Sequence, residues 1–461
     1  MVSGMRAGRF TVLALLTIAV MVVAGCSGSG PGDDQVRGDW HGAIEIPEQP
    51  LELAVHFTAV DAATIDIPVQ GVRGLELKDV VAEAERVEFA IPDIPGDPVY
   101  RGTREGDRIT GEFTQSGQTF PLTLEPGTLE MARPQEPKPP FPYRSDEVTY
   151  RNGDITIAGT LTKPEGAGPF PAVLLITGSG PQNRDEELMG HKIFLLIADT
   201  LTRQGYAVLR TDDRGVGGTG GDLAQATYAD LASDIDAGIG FLREQPEIDP
   251  TRIGLFGHSE GGYLAPLVAS KPDSGVAFAI LMAGPSVPGG DVLIEQNRKL
   301  FQVGGATPEQ TDAQVTYITE MTALVRANDL AGARDLARRH NESLPPEQRA
   351  PADQVEAMFA PSMVSFISYD PAPALTATKV PVLAFFGSKD VQVIPAQNEQ
   401  PMRDLLAGNS DATVHTFDNL NHLMQPANTG MPDEYAAIET TIAPEVLDYV
   451  TGWLQQRVPT K

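Results

Sequence analysis

Between Ile253 and Gly262 the chain passes from strand to helix with no room for a loop. Ile253-Gly254-Leu255-Phe256 is a short apolar run, and Gly257-His258-Ser259-Glu260-Gly261-Gly262 follows it directly before a helical pattern opens at Tyr263. A reversal that sharp needs small residues where strand and helix pass, and it leaves residue 259 on a strained turn. Similar apolar runs at residues 173–177, 208–211, 278–282 and 382–386 alternate with helical patterns at residues 193–204 and 228–244. Strands of that kind, spaced by helices, imply a mostly parallel sheet covered on both faces.

The rest of the chain divides around this block. Residues 36–132 read as short alternating strands, for example 51–57, 86–91 and 109–113, separated by turns such as Glu105-Gly106-Asp107. They imply a small antiparallel barrel or sandwich. Residues 133–142 carry Pro at 134, 137, 139, 140 and 142, which marks a semi-rigid linker. The α/β block then occupies residues 143–461. Within it, residues 290–375 hold no convincing strand but show helical periodicity, with capping residues expected at Thr307 and Asp329. This is the pattern of a helical cap inserted between two sheet strands.

The start of the chain reads as an address. Arg6 and Arg9 precede 15 charge-free, nearly all apolar residues from Phe10 to Ala24. That is too short for a comfortable membrane span and suits a signal-peptide core. Val23-Ala24-Gly25-Cys26 looks like a bacterial lipobox, so residues 1–25 are expected to be removed and Cys26 lipidated. Residues 26–35 would be a flexible tether. The expectation is an exported lipoprotein held at a membrane of the cell envelope. Cys26 is the one cysteine in the chain, so disulfide frameworks and multi-thiolate metal sites are excluded. A net charge of -28 argues against nucleic-acid partners.

Ser259 in Gly257-x-Ser259-x-Gly261 has the setting of an activated nucleophile, and a serine needs a base. In such a sheet the partners follow in the order Ser, acid, His. His41, His56 and His191 precede the serine, His258 lies in the elbow itself, and His340 falls in the expected cap. His415 alternates within a strand pattern, whereas His422 follows in a loop, and is the expected base. Asp390, just past the 382–386 strand, is the expected orienting acid; Asp411 and Asp418 are the alternatives. Backbone N–H donors for an oxyanion are expected from Glu260 and from the Thr177-Gly178-Ser179-Gly180 loop, by Ser179 or alternatively Gly178. Asp212-Asp213-Arg214-Gly215 has no dinucleotide-binding placement and reads as a turn closed by an Asp–Arg pair. No H-E-x-x-H occurs, and neither a metal nor a cofactor is expected.

Together TGSGPQNRD (177–185), DDRGVG (212–217), GHSEGG (257–262), GSKDVQV (387–393) and Leu420-Asn421-His422 resemble the bacterial carboxylesterases of the α/β-hydrolase superfamily. The similarity is to the EstD-like, GHSEGG subgroup, relatives of serine aminopeptidase-type and dienelactone-hydrolase-type enzymes, and covers residues 36–455. It implies an α/β-hydrolase fold with an inserted helical cap and a small N-terminal all-β domain. It also implies a Ser259–Asp390–His422 triad hydrolysing small-molecule carboxylic esters through an acyl-enzyme. Thr177 departs from the His common at that position in related hydrolases. Two other readings stay open: a serine peptidase or amidase with the same triad, and a non-catalytic binding lipoprotein.

Overall fold

The computed structural model describes residues 35–460, apart from residues 48–49, 68–69, 71, 93, 95 and 130–131. The lipobox at Cys26, the leader before it and nearly all of the tether lie outside the described residues. The described chain forms two units, one of residues 35–132 with 433–439, the other of residues 133–432 with 440–460.

The N-terminal unit holds nine strands where the sequence suggests three by name: β1 (Gly38–Ile44), β2 (Leu51–Ala59), β3 (Ala62–Ile67), β4 (Val72–Glu76), β5 (Lys78–Ala82), β6 (Arg86–Ala90), β7 (Val99–Glu105), β8 (Arg108–Gln115) and β9 (Gln118–Pro126). They pair antiparallel in the order β4-β3-β2-β1-β9-β8-β7-β6-β5. The two edges approach each other, since Leu77 N–H donates to Ala63 O at 3.0 Å and Ala82 N–H to Val60 O at 2.8 Å. Curling of this kind hides the unpaired edges of an open sheet. Trp40, Phe57, Phe89 and Tyr100 fill the interior.

The second unit is built on eight strands. They are β10 (Arg144–Asn152), β11 (Ile155–Lys163), β12 (Phe170–Ile176), β15 (Ala207–Thr211), β16 (Ile248–His258), β17 (Ala279–Met282), β18 (Val382–Gly387) and β19 (Ala412–Phe417). A two-residue hairpin, β13 (Glu187–Leu188) with β14 (His191–Lys192), lies outside that sheet. The order is β10-β11-β15-β12-β16-β17-β18-β19, antiparallel through β15 and parallel from β15 to β19. The central strands are buried along both faces, which is why β12 reads as an unbroken apolar run rather than an alternating one. Helices α1 (Ile193–Arg203) and α11 (Pro444–Arg457) pack together, and α2 (Tyr228–Arg243) packs on α3 (Gly261–Ala269). The start of α2 is fixed by a capping box, Thr227 with Asp230.

The cap comprises α4 (Gly289–Val303), α5 (Pro308–Arg326), α6 (Leu330–Ser343), α7 (Ala352–Ala357), α8 (Pro361–Ser368) and α9 (Ala372–Ala377), and α10 (Pro395–Leu405) follows β18. Thr307 makes a capping box with Gln310, and Asp329 caps α6 through Gly332 N–H. Met358 is spent on the cap's own core beside Tyr317 and Ile318. The proline-rich segment is docked on the second unit rather than spanning free. Gln135 binds the backbone of Thr441 and Ile442, and Lys192 pairs with Glu136 at 2.6 Å. Partners so far apart in the chain leave no local signal. No helix among the described residues is long and apolar enough to cross a membrane.

Candidate active site

Ser259 follows the last residue of β16 and stands at φ 52°, a left-handed conformation that a non-glycine residue adopts only when its surroundings force it. The forcing is visible on both sides. Ser259 N–H donates to Met282 O at 2.9 Å, and Gly262 N–H donates to Ser259 O at 2.8 Å. A Cβ on Gly257 would lie 2.1 Å from Gly261 O, and one on Gly261 would lie 2.2 Å from Ile176 O. Both glycines are therefore required by close backbone approach, and the elbow cannot relax into an ordinary turn.

Two strands along, β18 ends at Gly387 and a tight turn presents Asp390. The carboxylate is buried, and its Oδ1 accepts from the N–H groups of Gln392 at 2.8 Å and Val393 at 2.9 Å. Its Oδ2 stands 2.8 Å from His422 Nδ1. A carboxylate so placed accepts the Nδ1 proton, which leaves Nε2 as the basic nitrogen. His422 is itself buried, on a loop after β19 organised by Asn421. Asn421 Oδ1 accepts from Leu423 and Gln425 N–H groups, both at 3.0 Å. No hydrogen bond between Ser259 and His422 is formed among the described residues; such bonds commonly close only with substrate present.

The alternatives are engaged elsewhere. Asp411 is held by Arg457 at 2.6 Å, Asp418 is exposed, and His415 stacks on Tyr449 with ring centres 4.8 Å apart.

The loop after β12 requires a correction. Gly178 N–H donates to Glu186 Oε1 at 2.7 Å, so the Gly178 amide is committed and cannot serve as an oxyanion donor. The amides of Ser179 and Glu260 have no such internal partner among the described hydrogen bonds, and Ser179 is exposed. Thr177 is not a weak point. Its hydroxyl donates to Asp213 Oδ1 at 2.7 Å, while Gln182 N–H donates to Oδ2 at 2.8 Å. The Asp212–Gly218 turn is also not closed by an internal Asp–Arg pair. Asp212 pairs with Arg184 at 2.7 Å and Arg214 with Asp234 at 2.6 Å, both outside the turn.

Four groups near the serine carry no sequence signal of their role. Glu186 is fully buried, and its Oε1 stands 2.9 Å from His258 Nδ1; its Oε2 has no hydrogen-bond partner. His258 Nε2 faces the His422 carbonyl at 3.3 Å. Burial is the largest single influence on His258 and lowers its pKa, but the charge and hydrogen bond of Glu186, the His422 carbonyl and the charge of Asp390 together hold the value above that of a free imidazole. Burial pushes the Asp213 carboxyl up to about 8 and that of Glu260 up to about 7. Neither Asp213 nor Glu260 has an ion-pair partner among the described residues. No cluster of His, Cys, Asp and Glu among the described residues could hold a metal ion.

The eight-stranded order, the elbow serine and the buried His–Asp pair at neighbouring strand ends define an α/β-hydrolase. A family model described as Serine aminopeptidase, S33 (Hydrolase_4) matches residues 191–425, and the chain belongs to that family. Among its relatives is Esterase EstD of Thermotoga maritima, 26% identical over 320 residues, which span 68% of this chain and 70% of EstD. An uncharacterized peptidase of Bacillus subtilis, YuxL, is 32% identical over 131 residues, 26% of this chain and 19% of YuxL. Solved structures with similarity include the Pyrococcus furiosus esterase Pf2001, at 16% identity and a TM-score of 0.43. It covers 72% of this chain and 99% of its own. The α/β hydrolase GrgF from Penicillium is similar at 15% identity and a TM-score of 0.45, covering 68% of this chain and 99% of its own.

Proposed function

We propose that this carboxylesterase-type hydrolase cleaves carboxylic esters of small molecules through a covalent acyl-serine. The observation that carries the reading is the strained Ser259 on the same sheet as an Asp390–His422 pair with Nε2 left basic. His422 Nε2 takes the hydroxyl proton as Ser259 Oγ attacks the ester carbonyl, and Asp390 holds the resulting imidazolium. The Glu260 and Ser179 N–H groups receive the oxyanion. His422 then returns the proton to the leaving alkoxide, and water repeats the sequence on the acyl-enzyme. The similarity to EstD supports an ester substrate.

A second reading, amide hydrolysis by the same groups, is favoured by the family's description and by the partial match to a peptidase. One assay separates them: wild type and Ser259→Ala on p-nitrophenyl esters of increasing chain length, beside amino-acid p-nitroanilides. Ester turnover lost in Ser259→Ala, with labelling of Ser259 by a fluorophosphonate, is expected. Anilides cleaved faster than esters would move the assignment to a peptidase. Unlabelled Ser259 with no turnover would leave a binding protein.

The same reading takes Cys26 as the lipidated first residue of a cell-envelope protein, on the support of the charged start, the 15-residue apolar core and the Cys itself. Incorporation of a labelled fatty acid, lost in Cys26→Ser, is the check.

A further inference from the structure

His258 makes two ring contacts, and neither partner has a free proton to offer. The His422 carbonyl only accepts, so Nε2 must donate across the 3.3 Å separation. Glu186 Oε1 already receives Gly178 N–H at 2.7 Å. A proton between that oxygen and Nδ1, 2.9 Å apart, belongs to the nitrogen, the more basic atom. The ring is therefore an imidazolium with both protons engaged.

Its partners belong to the three segments on which the proposed chemistry depends. Glu186 reaches the oxyanion loop at Gly178, His258 directly precedes Ser259, and the third contact is the backbone of the base itself. The rings of His258 and His422 lie 4.9 Å apart. A buried carboxylate with an unpaired Oε2 is a costly way to fill space. An apolar pair of similar volume would pack the site without that cost, so the arrangement is better explained by what it positions.

We propose that His258, doubly protonated between Glu186 and the His422 carbonyl, is a positioning residue that locks the oxyanion loop, the nucleophile turn and the base loop in one register. The proposal rests on the triad assigned above. His258 takes no proton from the substrate and acts only through its neighbours. The titratable groups facing it are Glu186, on the segment leading into β13, and Asp390 and His422, on the loops after β18 and β19; Asp213 in turn faces Glu186. Because its partners raise the pKa of His258, the charged ring persists to higher pH than a free imidazole would and is lost as the solution passes above its folded value. Activity then falls on the alkaline side as that ring loses its charge.

The test uses the full chain and three variants, His258→Gln, Glu186→Gln and the double replacement, on one p-nitrophenyl ester. Rates are normalised to the fraction of protein that a fluorophosphonate titrates. His258→Gln is expected to lower kcat about 10- to 100-fold with KM changed less than about 3-fold, because the reacting groups shift while the groups that bind substrate stay in place. Glu186→Gln is expected to move the His258 step of the alkaline limb of the pH–rate profile to lower pH, and His258→Gln to remove that step while leaving the one set by Glu260. The double variant should be no worse than the poorer single one, since both cut the same link. Nitrogen-15 spectra of histidine-labelled wild type should show a doubly protonated ring at neutral pH that His258→Gln lacks, distinct from that of His56, whose two ring nitrogens face Asp39 and Asp66. Variants that melt earlier but keep the wild-type kcat and alkaline limb per titrated site would overturn the proposal, as would additive losses. If wild-type Ser259 is not labelled at all, the triad fails first; the doubly protonated ring would still be present or absent in the spectra, so the two failures are distinguishable.

Discussion

The loop that carries Ser179 is held by two carboxyl groups, Glu186 at Gly178 and Asp213 at Thr177 and Gln182, and the contribution of Asp213 is separable. Asp213 receives the Thr177 hydroxyl on one oxygen and Gln182 N–H on the other, at 2.7 and 2.8 Å. With its carboxyl pushed up to about 8, Asp213 is mostly protonated at neutral pH. A neutral carboxyl and a carboxamide can make the same two contacts, because the threonine hydroxyl can accept as readily as donate. Asp213→Asn should therefore stay within about 3-fold of wild-type kcat at pH 7, since neither hydrogen bond is removed. Asp213→Ala removes both partners and leaves buried polar groups unpaired, each at about 1–3 kcal/mol. If that is spent on moving Ser179 N–H, the ceiling is the loss of one oxyanion donor, about 2.7–4 kcal/mol or 10²- to 10³-fold in kcat. Thr177→Val cuts one of the two contacts and should fall between, at about 10-fold.

The assay is ester turnover per fluorophosphonate-titrated site, with thermal melts from pH 4 to 9. The sign of the melts follows from the raised carboxyl. An unfolded Asp ionises near pH 4, whereas the native state keeps its proton to about 8, so native stability declines as pH rises between those values. Asp213→Asn lacks that decline, and its melting temperature should gain on wild type across the interval and level off above about pH 8. An Asn variant as damaged as the Ala variant, or a Thr177→Val enzyme within 2-fold of wild type, would refute the reasoning.

Two shorter predictions concern the elbow. Glu260 is held up to about 7 by burial, so above that pH it carries charge beside the forming oxyanion. Glu260→Gln should lose the step near pH 7 that Glu260 contributes to the wild-type decline and keep the step set by His258, as read from kcat against pH. Gly261→Ala would drive a Cβ to 2.2 Å from Ile176 O and 2.8 Å from Thr177 O, both backbone atoms that cannot swing aside. A loss of about 3 kcal/mol or more is expected in denaturant unfolding, at the upper end for overpacking.

What could be read from the chain was local. The strand before Ser259 and the apolar run before Asp390 announce themselves by composition, and Thr307 and Asp329 by their place before helical patterns. The nine strands of the N-terminal unit were legible only in part, because its alternation is imperfect wherever a bulge shifts register, as between Phe57 and Ala59. The sequence pairs Arg214 with an acid of its own turn, whereas its partner Asp234 lies on α2 and Asp212 is taken by Arg184. Glu186 is one acid among 62 Asp and Glu residues, in a loop without periodicity. His258 is excluded as a base by its place in the elbow, and nothing local shows that this place brings it to Glu186. Partnerships of this kind depend on which strand ends meet, and no window of sequence contains them.

The carboxyl groups around Ser259 constrain the charge of a substrate. Glu186, Asp213, Glu260 and Asp390 gather near one serine, and each is accommodated differently. Asp390 has two backbone donors and His422, and Glu186 has Gly178 and His258. Asp213 and Glu260 have no cation and are held by burial toward their neutral forms. A substrate bearing a carboxylate near its scissile bond would raise the pKa of both further and meet no arginine or lysine paired to them among the described residues. An uncharged acyl chain meets no such penalty. The p-nitrophenyl ester of butyrate should therefore be turned over faster than the hemisuccinate of similar length. The gap in kcat/KM should narrow with acid, as Glu260 and the hemisuccinate take up protons, and narrow again in Glu260→Gln. Equal rates at pH 8 would mean that the acyl group lies on the far side of the serine from Glu260.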